Sequence, residues 1–230
     1  MLGGSPLGLT AKAISMLSLE QKRVRSSAMS SKTTQSKNPK PGLLISPSRF
    51  FYARSNLLAA FLATAVFAGY LVFVLMGKGA AFEVANSSVR SLGTTLGFGQ
   101  TEILAFLAER SEQMILAYIN FNQVWDSLFA LIYGVMYVIW VSVLFKPYSK
   151  RATILNLLPF GQVVFDWLEN FALATLSNEY LAGGTISSTT AALASTFSTT
   201  KWVFSLLVYG VIFVGIVMRV VRAIKKRSQR

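Results

Sequence analysis

Neither cysteine nor histidine occurs in the 230 residues. Their absence excludes disulfides, thiol catalysis, zinc centres, haem ligated by His or Cys, and imidazole acid–base chemistry. A metal would have to be a hard cation held by oxygen, such as Mg²⁺ or Ca²⁺. No residue pattern asks for one, so the expectation is no metal site and no cofactor. Acids are scarce too, nine against 22 Lys and Arg. On a soluble protein a net charge of +13 would suggest nucleic acid. Here the charges sort along the chain in a way that removes that reading, and no nucleic-acid partner is expected.

What is abundant is apolar surface: 53% of residues are hydrophobic and the mean hydropathy is +0.52. Four clustered segments are long enough to cross a bilayer, roughly 56–76, 124–145, 154–176 and 202–221. The expected fold is all-α, a polytopic four-transmembrane-helix bundle, with no room for a second globular core. Nine Lys and Arg precede the first span, against the single acid Glu20. Lys146, Lys150 and Arg151 join spans two and three, and Arg219, Arg222, Lys225, Lys226, Arg227 and Arg230 end the chain. The connections at 77–123 and 177–201 together hold four basic and five acidic residues. Short basic loops stay on the cytoplasmic side, or the matrix or stromal side of an organelle. All three basic regions fall on one side of a four-span chain, which predicts N-in, C-in.

The expected organisation is therefore a basic tail over 1–54, a bundle over 55–222 and a basic C-terminal tail over 223–230. The first 50 residues have the composition of a disordered tail and also of an organellar transit peptide. Contact with anionic lipid headgroups is a third reading. An organellar inner membrane (plastid or mitochondrion) is expected if the tail is a transit peptide, otherwise the plasma membrane or an endomembrane. In the first span Ala60, Thr64 and Ala68 form a small-residue stripe, open to either a partner helix or lipid. Asn86-Ser87-Ser88 is a glycosylation sequon that matters only in a secretory lumen. Residues 101–120 place Leu104, Leu107, Ala108, Ile115 and Tyr118 against Glu109, Glu112 and Gln113. That spacing predicts an amphipathic helix at the outer interface before the second span. Asp126, Tyr133 and Tyr137 share a face of span two. Lys146-Pro147 ends that span, and a short connection makes spans two and three an antiparallel hairpin. Residues 188–200, without Gly or Pro, can extend the fourth helix outward, and Gly210 and Gly215 read as packing sites.

The third span carries the most informative residues. Asp166, Glu169 and Asn170 are spaced i, i+3, i+4 and share one face, which Gln162, Pro159 and Asn156 continue. Carboxylates inside a span cost about 2.5–3.5 kcal/mol each and mark a functional or packing site. At a rise of about 1.5 Å per residue from the basic side, Asp166 lies about 22 Å up, Glu169 and Lys201 about 27 Å and Asp126 about 30 Å. Lys201 is the expected counter-charge to Glu169, Asp166 or both, with Asp126 near the mouth. Interhelical glue and a site that binds or moves something both stay open. Several ionisable groups at one level, where one Asn would serve as glue, favour a site.

These residues resemble an uncharacterised family of four-span integral membrane proteins, mostly bacterial, with an LP-x₆-D-x-LEN motif in span three. It reads here Leu158-Pro159, then Asp166-Trp167-Leu168-Glu169-Asn170. A second motif, S-x-F-T-x-x-K-W opening span four, reads Ser195 to Trp202 with Ser198 in place of Thr. A third element matches Arg110 and Tyr118 before Asp126. The resemblance covers about 55–222, omits the basic tail, brings no activity, and implies only that these polar positions belong together.

Three functions compete. The first binds or passes a proton, cation or small polar ligand at Asp166, Glu169 and Lys201. It lacks the internal repeat of transporter folds and would call for oligomerisation. The second is a non-catalytic scaffold or assembly factor whose polar seam holds its own helices or a partner span. The third, a lipid-modifying enzyme, has carboxylates available but no GxSxG elbow or P-loop, and no catalytic residue is assigned. Expected partners are membrane lipid and either a second copy or another membrane protein.

Overall fold

The computed structural model describes residues 44–85, 87, 89, 91–150 and 154–229. The sequon at Asn86, the transit-peptide reading of the first 43 residues, and Arg151 lie outside them. The described residues contain helices and no strand.

The first helix, α1 (Ile45–Arg54), falls where a tail was expected to continue to residue 54. It docks through only two buried side chains one turn apart, Ser48 and Tyr52, which a search for sustained apolar runs misses. Helix α2 (Leu57–Phe82) begins at Asn56, whose side chain accepts the Ala59 N–H at 2.8 Å. It includes one π-helical turn, Leu71–Leu75. The small-residue stripe is half realised. Ala60 is fully buried, and the Thr64 hydroxyl accepts the Trp140 indole N–H at 2.9 Å, whereas Ala68 is exposed.

The amphipathic helix expected over 101–120 is broken in two. Helix α3 (Gln100–Ala108) ends at a turn, and Ser111 caps a new helix by accepting the Met114 N–H at 3.4 Å. That new helix does not stop before the second span but runs into it as α4 (Glu112–Tyr148), through a π-helical stretch at Phe121–Asp126. Leu107, Ile115 and Tyr118 are buried as the periodicity implies; Ile103 and Phe106 take the places assigned to Leu104 and Ala108.

Helix α5 (Leu158–Gly183) has Pro159 in its first turn, where the missing N–H costs nothing. It ends at Gly184, whose φ of +70° suits glycine. Helix α6 (Ser188–Ser228) is 41 residues long. It absorbs both the 188–200 segment and residues 223–228, expected as a separate tail. Among the described residues three helices, α2, α4 and α6, are long and apolar enough to cross a membrane. The expected third span, 154–176, corresponds to α5, long enough but carrying Asp166, Glu169 and Asn170 among its buried residues.

Helices α4 and α5 run antiparallel, paired by Ser142–Asn156 at one end and Ser127–Trp167 towards the other. Helices α5 and α6 pair the same way. Close approach is bought with glycine: a Cβ on Gly134 would meet Val163 Cγ2 at 2.3 Å, and one on Gly161 would meet the Phe204 ring at 2.3 Å. Gly215 packs likewise on Leu144 and Phe145, whereas Gly210 faces open space and is no packing site.

The basic residues meet at one end. Lys146 Nζ donates to the carbonyls of Ala53 and Ser55 at 3.3 and 3.0 Å. Arg219 donates to the carbonyls of Leu144 and Val143. Below them Asn156, fully buried, donates to Ser142 Oγ at 2.9 Å and to Ser48 O at 3.0 Å, and accepts from Ser48 Oγ at 2.6 Å. Asn156 thus belongs to a corner lock at the basic end, away from the acidic residues it shares a stripe with.

Candidate functional site

Far from the basic end, three helices bring the charged residues together. Lys201 on α6 reaches α5, its Nζ 3.3 Å from Asp166 Oδ1 and in contact with Glu169 Oε2. It also donates to the carbonyl of Gly93 at 3.2 Å. Lys201 is thus held by two carboxylates and one carbonyl. Asp166 completes its own set with the Tyr133 hydroxyl, which donates to Oδ2 at 2.6 Å. Glu169 is 0% exposed and Lys201 7%. Such a pair is held by its mutual attraction and hydrogen bonds against a desolvation cost of several kcal/mol per ion.

Asp126 comes from the π-helical stretch of α4, with the Asn170 amide beside its carboxyl. Widening by one residue per turn rotates the face of a helix, and such turns recur at functional sites. Asn122, in the same stretch, is buried and donates back to Tyr118 O at 2.8 Å. Tyr118 lies outside the charged contacts and packs between Phe82 and Phe106, with ring centroids 5.0 and 4.7 Å away.

The second sequence motif has a clear physical job. Ser195, Ser198, Thr199, Lys201 and Trp202 all bind one short stretch of main chain. Ser195 Oγ accepts the Phe98 N–H at 3.1 Å, while Ser198 and Trp202 donate to Thr95 O at 3.0 and 2.9 Å. Thr199 donates to Leu96 O at 2.8 Å. With Lys201 on Gly93, the start of α6 holds residues 93–98 across the bundle. Arg110 does the same for the preceding segment. It donates to Phe82 O at 2.9 Å and to Phe106 O, with its guanidinium stacked 3.4 Å from the Phe106 ring centroid. Burial draws that guanidinium down from its ordinary value, opposed by the nearby Tyr118 and Glu109.

Between these walls lies a cavity of about 870 Å³. Asp126, Asp166, Lys201, Gln162, Arg110 and Trp202 face it; Glu169, Asn170, Tyr118 and Pro159 stand behind its wall or away from it. The side-chain oxygen of Gln162, a residue 6% exposed, has no hydrogen-bond partner among the described residues. The stripe of α5 thus separates into three: Asn156 in the corner lock, Pro159 starting the helix, and Gln162 to Asn170 at the cluster. What the sequence reading missed was the cavity and the 93–98 segment. Main-chain acceptors carry no residue-type signal, although Ser195, Ser198 and Thr199 recurring at helical spacing before Lys201 hinted that something lies along that face.

Compared with protein-family models, curated proteins and solved structures, the chain matches none.

Proposed function

We propose that this chain is an integral membrane protein whose Asp126, Asp166, Glu169 and Lys201 cluster binds or passes a proton, cation or small polar ligand. Helix α5 is its fourth span: 26 residues cover about 39 Å at 1.5 Å per residue, more than a hydrocarbon core of about 30 Å. Lys146 and Arg219 gathered at one end support N-in, C-in by the positive-inside tendency. The family resemblance and an organellar inner membrane remain part of this reading, on the motifs and the tail composition already described. One observation carries the functional part. The charged residues face a cavity of about 870 Å³, where polar glue between helices would be packed shut.

The absence of cysteine makes the test direct. Ser205, 2% exposed, faces the cavity, and Thr94 lies on the 93–98 side of it. Each is replaced by Cys in the otherwise unchanged chain and exposed, in sealed vesicles, to a membrane-impermeant thiol reagent. Lys225→Cys, at the exposed basic end, reports the other side. The expected result is labelling of Thr94→Cys and Ser205→Cys from one face and of Lys225→Cys from the opposite face. Labelling of Ser205→Cys from neither face would mean a cavity closed to water, and the scaffold reading would replace this one. Labelling of Thr94→Cys and Lys225→Cys from the same face would overturn the topology.

A further inference from the structure

The cavity is unevenly furnished. Its cations are already used: Lys201 donates to Asp166 and Gly93 and forms an ion pair with Glu169, and Arg110 is turned to the carbonyls of Phe82 and Phe106. What is left without a partner is acceptor capacity. Asp126 makes no ion pair among the described residues, and the buried side-chain oxygen of Gln162 has no partner. A buried amide oxygen left unpaired costs about 1–3 kcal/mol, so a donor arriving there regains that much.

The rest of the wall is aromatic. Phe129, Tyr133, Tyr137 and Tyr209 all face the cavity and follow one another with ring centroids 5.5, 5.9 and 5.8 Å apart. Ring faces attract cations, and more strongly where water is excluded. Leu71, Leu75 and Met76 of α2 supply an apolar side. A volume of about 870 Å³ far exceeds that of a bare ion and falls in the range of sites for small organic molecules.

We propose that the cavity takes an organic cation: a protonated amine carrying an apolar or aromatic body. The ammonium lies between Asp126 and the Gln162 oxygen, and the body lies along the Phe129, Tyr133, Tyr137 and Tyr209 rings. This rests on the reading of the cluster as a ligand site and narrows it. A proton or inorganic cation would use the carboxyls but leave the ring wall and the Gln162 oxygen without a role.

The test is titration calorimetry and thermal unfolding of the full chain in mild detergent, with phenethylammonium as probe. Its anionic and neutral counterparts, 3-phenylpropionate and 2-phenylethanol, and K⁺ are measured alongside. Saturable binding of phenethylammonium alone is expected, weakened roughly tenfold or more in both Asp126→Asn and Gln162→Leu, since each removes a charge-assisted hydrogen bond. Equal binding of the anion or the alcohol would overturn the proposal, as would unchanged affinity in a folded Asp126→Asn or Gln162→Leu protein. Binding of K⁺ that Asp126→Asn abolishes, with no binding of the amine, would overturn the organic-cation assignment and leave the wider reading standing. No saturable binding of any probe, together with no labelling of Ser205→Cys, would remove both.

Discussion

The two ends of the bundle use buried polar residues in opposite ways. At the basic end Asn156, Ser48 and Ser142 form a closed set, and none of their buried side-chain atoms lacks a partner. At the other end two carboxyls meet one ammonium and a third, Asp126, stands beside them without an ion pair among the described residues, Gln162 keeps an unpaired oxygen, and the group opens on a cavity. A satisfied network rigidifies a core, whereas an incompletely satisfied one beside empty space is costly unless something fills it. Polarity inside a bundle therefore does not by itself identify a site. The difference lies in whether the hydrogen bonds close.

The largest effect that would break this contrast is at Lys201. Lys201→Met strands Asp166 and Glu169, and removing one partner of a buried pair costs about 3–5 kcal/mol. The expected outcome is loss of the folded protein in detergent, read by thermal unfolding and size-exclusion chromatography. Adding Glu169→Gln to Lys201→Met should recover part of the loss, because the carboxyl that is 0% exposed is then neutral. Unchanged unfolding in Lys201→Met and in Glu169→Gln would remove the ion pair from the account of stability.

Next is the closed lock. Asn156→Ala removes three hydrogen bonds and takes from the buried Ser142 hydroxyl its amide donor, at about 1–3 kcal/mol. Unfolding should shift down while labelling of Ser205→Cys stays the same. Altered labelling would show that the two ends are coupled, and the contrast would fail. Of similar or smaller size is Gly161→Ala, which drives a methyl into the Phe204 ring and should cost about 1–3 kcal/mol by overpacking. Pairing it with Phe204→Leu should relieve most of that cost; no relief would mean the helices approach each other elsewhere.

A smaller change tests how the cavity is walled. Trp202→Phe keeps an aromatic side chain, though a smaller one, and loses the indole N–H bond to Thr95 O, at about 0.5–1.5 kcal/mol for that bond. The 93–98 segment should loosen, so hydrogen exchange of its amides should quicken while exchange in α5 is unchanged.

Much of this arrangement was legible in the residues, and the reasons are physical. Long apolar runs announce spanning helices, and the i, i+3, i+4 spacing of Asp166, Glu169 and Asn170 placed them on one face. Rise per residue then put Lys201 at the level of Glu169, the residue its ammonium contacts. Four features were hidden. Helix α1 buries only Ser48 and Tyr52, too little for a pattern. The π-helical turns of α2 and α4 are marked by no residue pattern in the sequence. The break at Glu109–Ser111 sits inside a continuous amphipathic period, and a capping Ser outweighs that period. The partners of Ser198, Thr199 and Trp202 are carbonyls, which every residue possesses.

The smallest expected effect on stability is the sharpest discriminator. Asp126 lies on the cavity wall with no ion pair among the described residues, and its removal strands no counter-charge. Asp126→Asn keeps the shape, exchanges a carboxyl for an amide without breaking an ion pair among the described residues, and should move unfolding by no more than about 0.5 kcal/mol. Lys201→Met and Asp126→Asn thus change charge at the same end with opposite expectations for stability. If Asp126→Asn unfolded the protein as Lys201→Met does, Asp126 would belong to the structural ion pair, and the cavity would lose its free carboxyl. If stability holds while labelling of Ser205→Cys persists, the acidic end contains two separable parts: a fixed Asp166, Glu169 and Lys201 framework, and an Asp126 group left free to meet what enters.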